Sequence, residues 1–303
     1  MNVKKKILLL AGGPSKERRV SLETGKAVYQ ALKTLGYDIV KIDPKPALTD
    51  FLKYNCDLAF NALHGQFGED GIIQSILEKQ KIPYTHSGSK SSSIAMDKLK
   101  SKRKFIKIKI NTPKFKVIKK LKDLKGSISK KKFVLKPINE GSSVGVLIYN
   151  NFNQINKSLI RKYLKKYNQL LQEEFIEGKE IQAAVIGSKA IGAIEIKPSR
   201  KFYDYKAKYN AKAKTKHIMP ANLDKKTYKK ILQMSLKAHR CLSCSGVTRS
   251  DFIVTKRNEI FILETNTQPG MTNLSLVPEI AEYYGISFIK LVKWMVSDAS
   301  INR

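Results

Sequence analysis

The sequence predicts an α/β protein that opens with a parallel α/β domain and continues into a larger, two-lobed region. Three observations carry this. Between residues 4 and 86, short apolar runs alternate with stretches of helical period, the order expected of parallel strands joined by helices. Beyond residue 110, runs of strand character come in pairs joined by polar turns. A chain of 303 residues with 42% hydrophobic content can bury cores for two or three domains.

The first strand is read in "KKILLLA". Its lysines followed by Ile7–Leu10 resemble a secretory leader, but the apolar run is shorter than the roughly 7–15 residues such a leader needs. A helix then ends at Gly36, and strands follow in "YDIVKID" and "CDLAFNAL", a helix near 70–80 and a strand in "KIPYTHSG". Ligands gather at the carboxyl ends of such strands. Two motifs stand there, "AGGPSKERRVS" (11–21) and "HGQFGEDG" (64–71). One helix, "SKSSSIAMDKLKSKRKF", carries Lys98. The second region opens at "NTPKFKVI" and passes through a strand-loop-strand, "KKFVLKPINEGSSVGVLIY". A Lys-rich helix (153–168) and strands at 170–176, 181–187 and 190–197 lead to an irregular polar stretch. Residues 198–217 of it suit a closing lid. A helix at 224–242, a hairpin and a helix from about 276 complete the chain.

No apolar run approaches the ~18 residues that span a bilayer, so a cytoplasmic protein is expected. Three cysteines are few and odd in number, and Cys241-x-x-Cys244 lacks the further ligands zinc needs. The net charge of +33 would attract polyanions. Yet only nine of the 58 basic residues are Arg, and the lysines are spread along the chain. Base-reading proteins lean on Arg and gather charge on one face. Binding to a specific nucleic acid is therefore the rival reading and is not expected.

The hairpin poses a chemical problem. With Arg257-Asn258 as a two-residue turn, Asp251 stands opposite Glu264 and Arg249 opposite Asn266, all on one face. Two carboxylates about 5 Å apart at Cβ destabilise a sheet. A divalent cation with oxygen ligands would relieve the repulsion, and so would simple neutralisation of Asp251 by Arg249. Spacing alone leaves both open.

"KPINEGSSVGV" (136–146) lacks the spacing of a P-loop, but a Gly/Ser hairpin turn can present N–H groups to phosphate. Taken with Lys98, Lys136 and the acidic hairpin, it supplies the parts that hold ATP and Mg²⁺. In "QEEFIEGKE", backbone groups at 173–176 would meet an adenine edge and Glu180 the ribose, or the stretch is a solvated acidic loop.

Together, "LKPINEGSSVGV", "EEFIEGKE" and R-x-D followed by E-x-N-T-x-P-G-M-T resemble the ATP-grasp fold, and within it the D-alanine–D-alanine ligase family. "GGPSKERRVS", "ALHGQFGEDG", "AMDKL", "FYDYKAKY" and "SLVPE" match in family order over nearly the whole chain. The resemblance implies ligation of two D-alanines through a D-alanyl phosphate, for peptidoglycan synthesis, with ATP and two Mg²⁺ or Mn²⁺ ions. It also implies a homodimer and three units: 1–88, 89–180 and 181–303.

Residue by residue, it implies Asp251, Glu264 and Asn266 as metal ligands. Lys98, Lys136, Ser143 and Lys208 would bind phosphates, Glu173, Glu174, Phe175 and Ile176 the adenine, and Glu180 the ribose. Glu17 would hold the first D-alanine's ammonium, with Ser21 and His64 nearby, and Ser142 and Tyr209 would order the substrate ends. Arg249 would stabilise the acyl-phosphate transition state. Gly270, Ser275 and Leu276 would hold the second carboxylate, Ser275 also capping a helix. Glu174 departs from the pattern, standing where a Lys contacts adenine, and Thr248 and Ser250 are more polar than usual. A relative using D-lactate or D-serine, or another carboxylate–amine ligase, is the alternative within the class.

Overall fold

The computed structural model describes residues 5–45, 54–197, 215–272 and 274–303. Strands β1 (Lys6–Leu10), β2 (Asp38–Ile42) and β3 (Leu58–Asn61) form a parallel sheet in the order β2-β1-β3. Ile7, Leu8, Leu9 and Leu10 are all fully buried. Ile7 and Leu9 pack with Val28 and Leu32 of α1 (Arg18–Thr34), while Leu8 and Leu10 pack with Ile73 and Leu77 of α2 (Ile72–Lys79). A strand covered on both faces has no reason to alternate, which is why this run is apolar throughout. The strand expected in "KIPYTHSG" shrinks to a bridge between Tyr84 and Ala59. Pro83 just before it has no N–H to give a ladder.

The single helix expected around Lys98 is two, α3 (Ser89–Met96) and α4 (Lys98–Lys107). Asp97 separates them. Its backbone is extended (ψ 99°), and its carboxylate accepts from the N–H groups of Leu99 and Lys100 at 3.0 and 2.9 Å. An N-cap inside a helical pattern ends one helix and starts another.

The second sheet is antiparallel, ordered β4-β7-β5-β6, from β4 (Phe115–Ile118), β5 (Phe133–Pro137), β6 (Leu147–Tyr149) and β7 (Leu170–Glu174). Helix α5 (Lys157–Tyr167) covers it, Ile160 meeting Phe133, Leu135 and Leu170. The third sheet takes β8 (Lys179–Ile186), β9 (Lys189–Lys197), β10 (Lys216–Ile218), β11 (Val247–Val254) and β12 (Ile260–Asn266) in the order β10-β9-β8-β11-β12. Strand β10 lies within the stretch read as irregular, and residues 198–214 of the expected lid lie outside the described residues. Helix α6 (Lys225–Cys241) packs on Ile181, Ala183 and Phe252. The helix expected from 276 is again two, α7 (Leu276–Tyr283) and α8 (Phe288–Asp298), parted at Gly285 with φ +81°. Both join one core with Ile7 and Val28 of the first unit and Ile194 and Val247 of the third sheet.

The hairpin turn corrects the expected one. Lys256, Arg257 and Asn258 make a three-residue loop closed by Thr255 N–H on the Glu259 carbonyl at 3.0 Å, with Asn258 in the left-handed region (φ +59°). The extra loop residue alone would slip the register by one and turn Glu264 away. A bulge takes the slip back: Phe252 pairs Ile262 but Asp251 pairs Glu264, leaving Leu263 without a partner in the ladder.

Candidate active site

Two cavities meet between the loops of the first sheet and the facing surfaces of the other two. The larger, of about 420 Å³, has Val134, Phe175, Ile176, Ile196 and Leu263 among its apolar walls. Lys98, Lys136, Ser143, Glu173, Glu174, Glu180 and Asp251 also line it. Its size and apolar walls with convergent charges suit a nucleotide. The smaller, of about 60 Å³, is lined by Glu17, His64, Glu69, Ser142, Arg249 and Gly270 among others. Three residues belong to both walls: Lys98, Gly141 and Glu264.

The cations are placed by their elements. The break at Asp97 starts α4 at the cavity, where the Lys98 ammonium donates to the Glu140 carbonyl at 2.6 Å and lies 3.3 Å from Glu264. Lys136, at the end of β5, lies 2.9 Å from Glu173. Burial raises the Glu173 carboxyl, but Lys102 and Lys136 outweigh it and hold the group below the ordinary range. In the expected adenine hinge, the N–H groups of Glu174 and Phe175 already serve the carbonyls of Lys114 and Lys132, at 2.9 and 3.1 Å. The Glu174 carboxylate accepts from Lys114 N–H at 2.9 Å. The Gly/Ser loop is a hairpin turn, as read, with Ser142 and Ser143 both left-handed (φ +49° and +60°).

At the strand ends, Asp251 faces Glu264 and Arg249 faces Asn266, as read from the sequence. Arg249 donates to both oxygens of Asp251, at 2.8 and 3.0 Å, so the neutralising pair exists. Asn266 Oδ1 accepts from Gln268 N–H at 2.7 Å. Among the described residues, no three His, Cys, Asp or Glu side chains cluster as a metal site. Two carboxylates and an amide oxygen are nonetheless the hard donors that Mg²⁺ takes, Asp251 and Glu264 bordering the cavity of nucleotide size and Asn266 the small one.

In the small cavity, Ser142 donates its hydroxyl to Glu17 across 125 residues of chain. A Cβ on Gly141 would come within 2.9 Å of Glu17 Oε1 and 3.4 Å of Glu69 Oε1, so both carboxylates converge on the backbone of this loop. Burial pushes the Glu69 carboxyl up to about 8, with Glu17 adding to the rise. Burial lowers His64 to about 4, leaving a neutral imidazole 2.9 Å from Thr24 Oγ1.

Three expected residues lie away from both linings. Ser21 accepts from Gly12 N–H at 2.7 Å and donates to the Ala62 carbonyl at 2.8 Å, tying the first loop to β3. Leu276 is buried in the core. Ser275 stands at the start of α7 but does not cap it through its side chain; its hydroxyl meets Thr272, accepting from that N–H at 2.9 Å. Lys208 and Tyr209 lie outside the described residues. Two residues were missed. Glu69 sits inside "HGQFGEDG", a Gly-flanked acid at a strand end, and Lys102 lies four residues after Lys98, on the same side of a helix.

Comparison with known proteins bears on this geometry. The family description "D-ala D-ala ligase N-terminus" matches residues 43–87, and "D-ala D-ala ligase C-terminus" matches 89–297. A D-alanine–D-alanine ligase from Pelagibacter ubique is 55% identical, over 99% of both chains. One from Xanthobacter autotrophicus is 44% identical, again over 99% of both. The crystal structure of a D-alanine–D-alanine ligase from Bacillus anthracis superposes with a TM-score of 0.83 at 32% identity, covering 97% of each chain. A D-Ala:D-Ser ligase from Enterococcus faecalis superposes at 0.84 with 27% identity, covering 97% of this chain and 99% of its own.

Proposed function

The chain belongs to the D-alanine–D-alanine ligase family, and from that premise we propose that it joins two D-alanines with conversion of ATP to ADP and phosphate. The observation that carries this is the shared wall. A nucleotide-sized cavity and a small, charged one touch at Lys98, Gly141 and Glu264. A phosphoryl group leaving the first enters the second there.

A carboxylate is a poor electrophile, so the first D-alanine must become an acyl phosphate before an amine attacks it. Glu17, which accepts from the Ser142 hydroxyl, would anchor that substrate's ammonium. Lys98 and Lys136 line the larger cavity and would draw in the phosphates. Mg²⁺ held by Asp251, Glu264 and Asn266 would neutralise charge on the transferring group. When the second amine attacks the acyl carbon, an oxyanion forms, phosphate leaves and the amine loses a proton. Arg249, in the small cavity, is the cation to stabilise that oxyanion. Tyr209 and Lys208 remain assigned from the family pattern, as does a cytoplasmic homodimer of units 1–88, 89–180 and 181–303. No helix among the described residues is long and apolar enough to cross a membrane.

The fold does not choose the second substrate, since a D-Ala:D-Ser ligase superposes as well as a D-Ala–D-Ala one. Incubation with ATP, Mg²⁺ and an equal mixture of D-alanine, D-serine and D-lactate, followed by mass spectrometry, decides. D-alanyl-D-alanine as the main product is expected. A dominant mixed product would move the chain to a sister activity, and no ADP at all would overturn the reading.

A further inference from the structure

The reaction derived above makes no use of the deepest charge beside the nucleotide cavity. Lys102 is fully excluded from solvent, which is rare for a lysine unless its charge is matched. Its ammonium lies 3.0 Å from Glu173 Oε1 and donates to Thr112 Oγ1 at 2.5 Å. The other oxygen of that carboxylate, Oε2, lies 2.9 Å from the Lys136 ammonium. Glu173 pairs with Val134 on β5, two residues before Lys136, so carboxylate and ammonium share a face of the sheet. One carboxylate thus lies between two ammonium groups, one beneath it and one at the cavity wall. The cluster keeps a net positive charge, and Lys102 itself lines neither cavity.

We propose that Lys102 is a positioning residue for ATP, acting through Glu173 on Lys136. The inference rests on the reading of Lys136 as a phosphate-binding lysine. Held from below by Lys102, Glu173 can fix the Lys136 side chain without cancelling its charge. Without Lys102, the buried carboxylate would have Lys136 as its remaining ammonium partner here. The two would form a neutral pair drawn away from the phosphates, because a buried carboxylate takes whatever cation it can reach. Burial lowers the Lys102 ammonium to about 8 against the pull of Glu173, so the charge is held there at real cost.

The test is a cycle of Lys102→Met, Glu173→Gln and the double variant. Affinity for a non-hydrolysable ATP analogue would be read by calorimetry, with KM for ATP and for D-alanine measured separately. Lys102→Met keeps the length of the side chain and should weaken the analogue and raise the ATP KM about tenfold, while the D-alanine KM stays within about twofold. In the Glu173→Gln background the same change should cost little, since no carboxylate remains to capture Lys136. An equal loss in both backgrounds, or parallel rises in both KM values, would overturn the proposal in favour of a packing role. Should Lys102→Met fail to fold, the comparison within the Gln background still decides. Analogue binding is read without D-alanine, so a wild type that forms no dipeptide would count against the function above and not against Lys102.

Discussion

Glu264 stands opposite Asp251 because Leu263 is left out of the pairing between β11 and β12. The loop Lys256–Asn258 displaces the register by one residue, and the bulge restores it where the two carboxylates meet. Each carboxylate then has a cation at hand, Arg249 at 2.8 Å for Asp251 and Lys98 at 3.3 Å for Glu264. If the facing pair holds Mg²⁺, Asp251→Asn and Glu264→Gln should each lower kcat by about a hundredfold or more. Without metal, Glu264→Gln should hold its thermal stability, whereas Asp251→Asn should lower it, because Arg249 loses its bidentate carboxylate partner. Steady-state ADP release across a Mg²⁺ titration, beside scanning calorimetry, checks both halves. Near-normal turnover in both variants at ordinary Mg²⁺ would remove the metal assignment.

Deleting Leu263 separates the bulge from the register. A chain lacking Leu263 would carry the outer register straight through the site with Glu264 still opposite Asp251, since Leu263 is the residue without a partner in the ladder. We expect a folded protein that still ligates, slowed by about tenfold or less, because the facing pair is kept and only the local bend and twist of the bulge are lost. Circular dichroism close to wild type together with no detectable activity would show that the bend of the bulge, and not the register alone, positions Glu264.

These two residues also show how much of the site the sequence disclosed. Alternation along a strand is a local rule, so the shared face of Arg249, Asp251, Glu264 and Asn266 could be read directly. The loop length and bulge could not, because they answer to each other, and two errors of one residue cancelled. Parallel strands and their helices were legible because Ile7–Leu10 is apolar on both faces. The break at Asp97 was not, since a cap within an amphipathic run competes with the period around it. Ser275 shows the same limit: an N-cap residue type says nothing of a nearby Thr272 that takes the hydroxyl. Glu69 and Lys102 stayed silent because burial gives them their interest, and burial depends on the whole fold.

The raised Glu69 carboxyl makes a prediction about pH. The folded protein keeps this proton up to about 8, whereas the group releases it near its ordinary value of 4.5 when the chain unfolds. Between those values the folded state binds more protons, so stability falls as pH rises. Glu69→Gln does not titrate and escapes that loss. Its melting temperature relative to wild type, measured without nucleotide or metal, should climb from about pH 5 to about pH 8 and then level off. A difference constant across that range would place Glu69 in ordinary solvent contact.

The +33 charge makes another. With lysines distributed along the chain, duplex DNA should bind weakly, without sequence preference, and with affinity falling steeply as salt rises. Anisotropy titrations at two salt concentrations and with two unrelated duplexes measure this. Tight, sequence-selective binding at physiological salt would give the nucleic-acid reading precedence.

Ser142 carries two separable properties, and one pair of variants divides them. Its hydroxyl donates to Glu17, and its backbone sits at φ +49° beside Ser143 at +60°. A residue with a Cβ pays roughly 1 kcal/mol or more for that conformation, which glycine adopts freely. The strain persists because the turn from β5 to β6 must bring the hydroxyl over the small cavity. Ser142→Ala keeps the strain and removes the hydroxyl, whereas Ser142→Gly removes both. The Gly variant should therefore be more stable than the Ala variant by up to about 1 kcal/mol, read from urea midpoints at equal slope. Activity should not follow stability. Without the hydroxyl, Glu17 loses a donor in both variants, so both should raise the D-alanine KM and leave the ATP KM nearly unchanged. If Ser142→Gly ligates as well as wild type while Ser142→Ala does not, the backbone conformation matters and the hydroxyl does not.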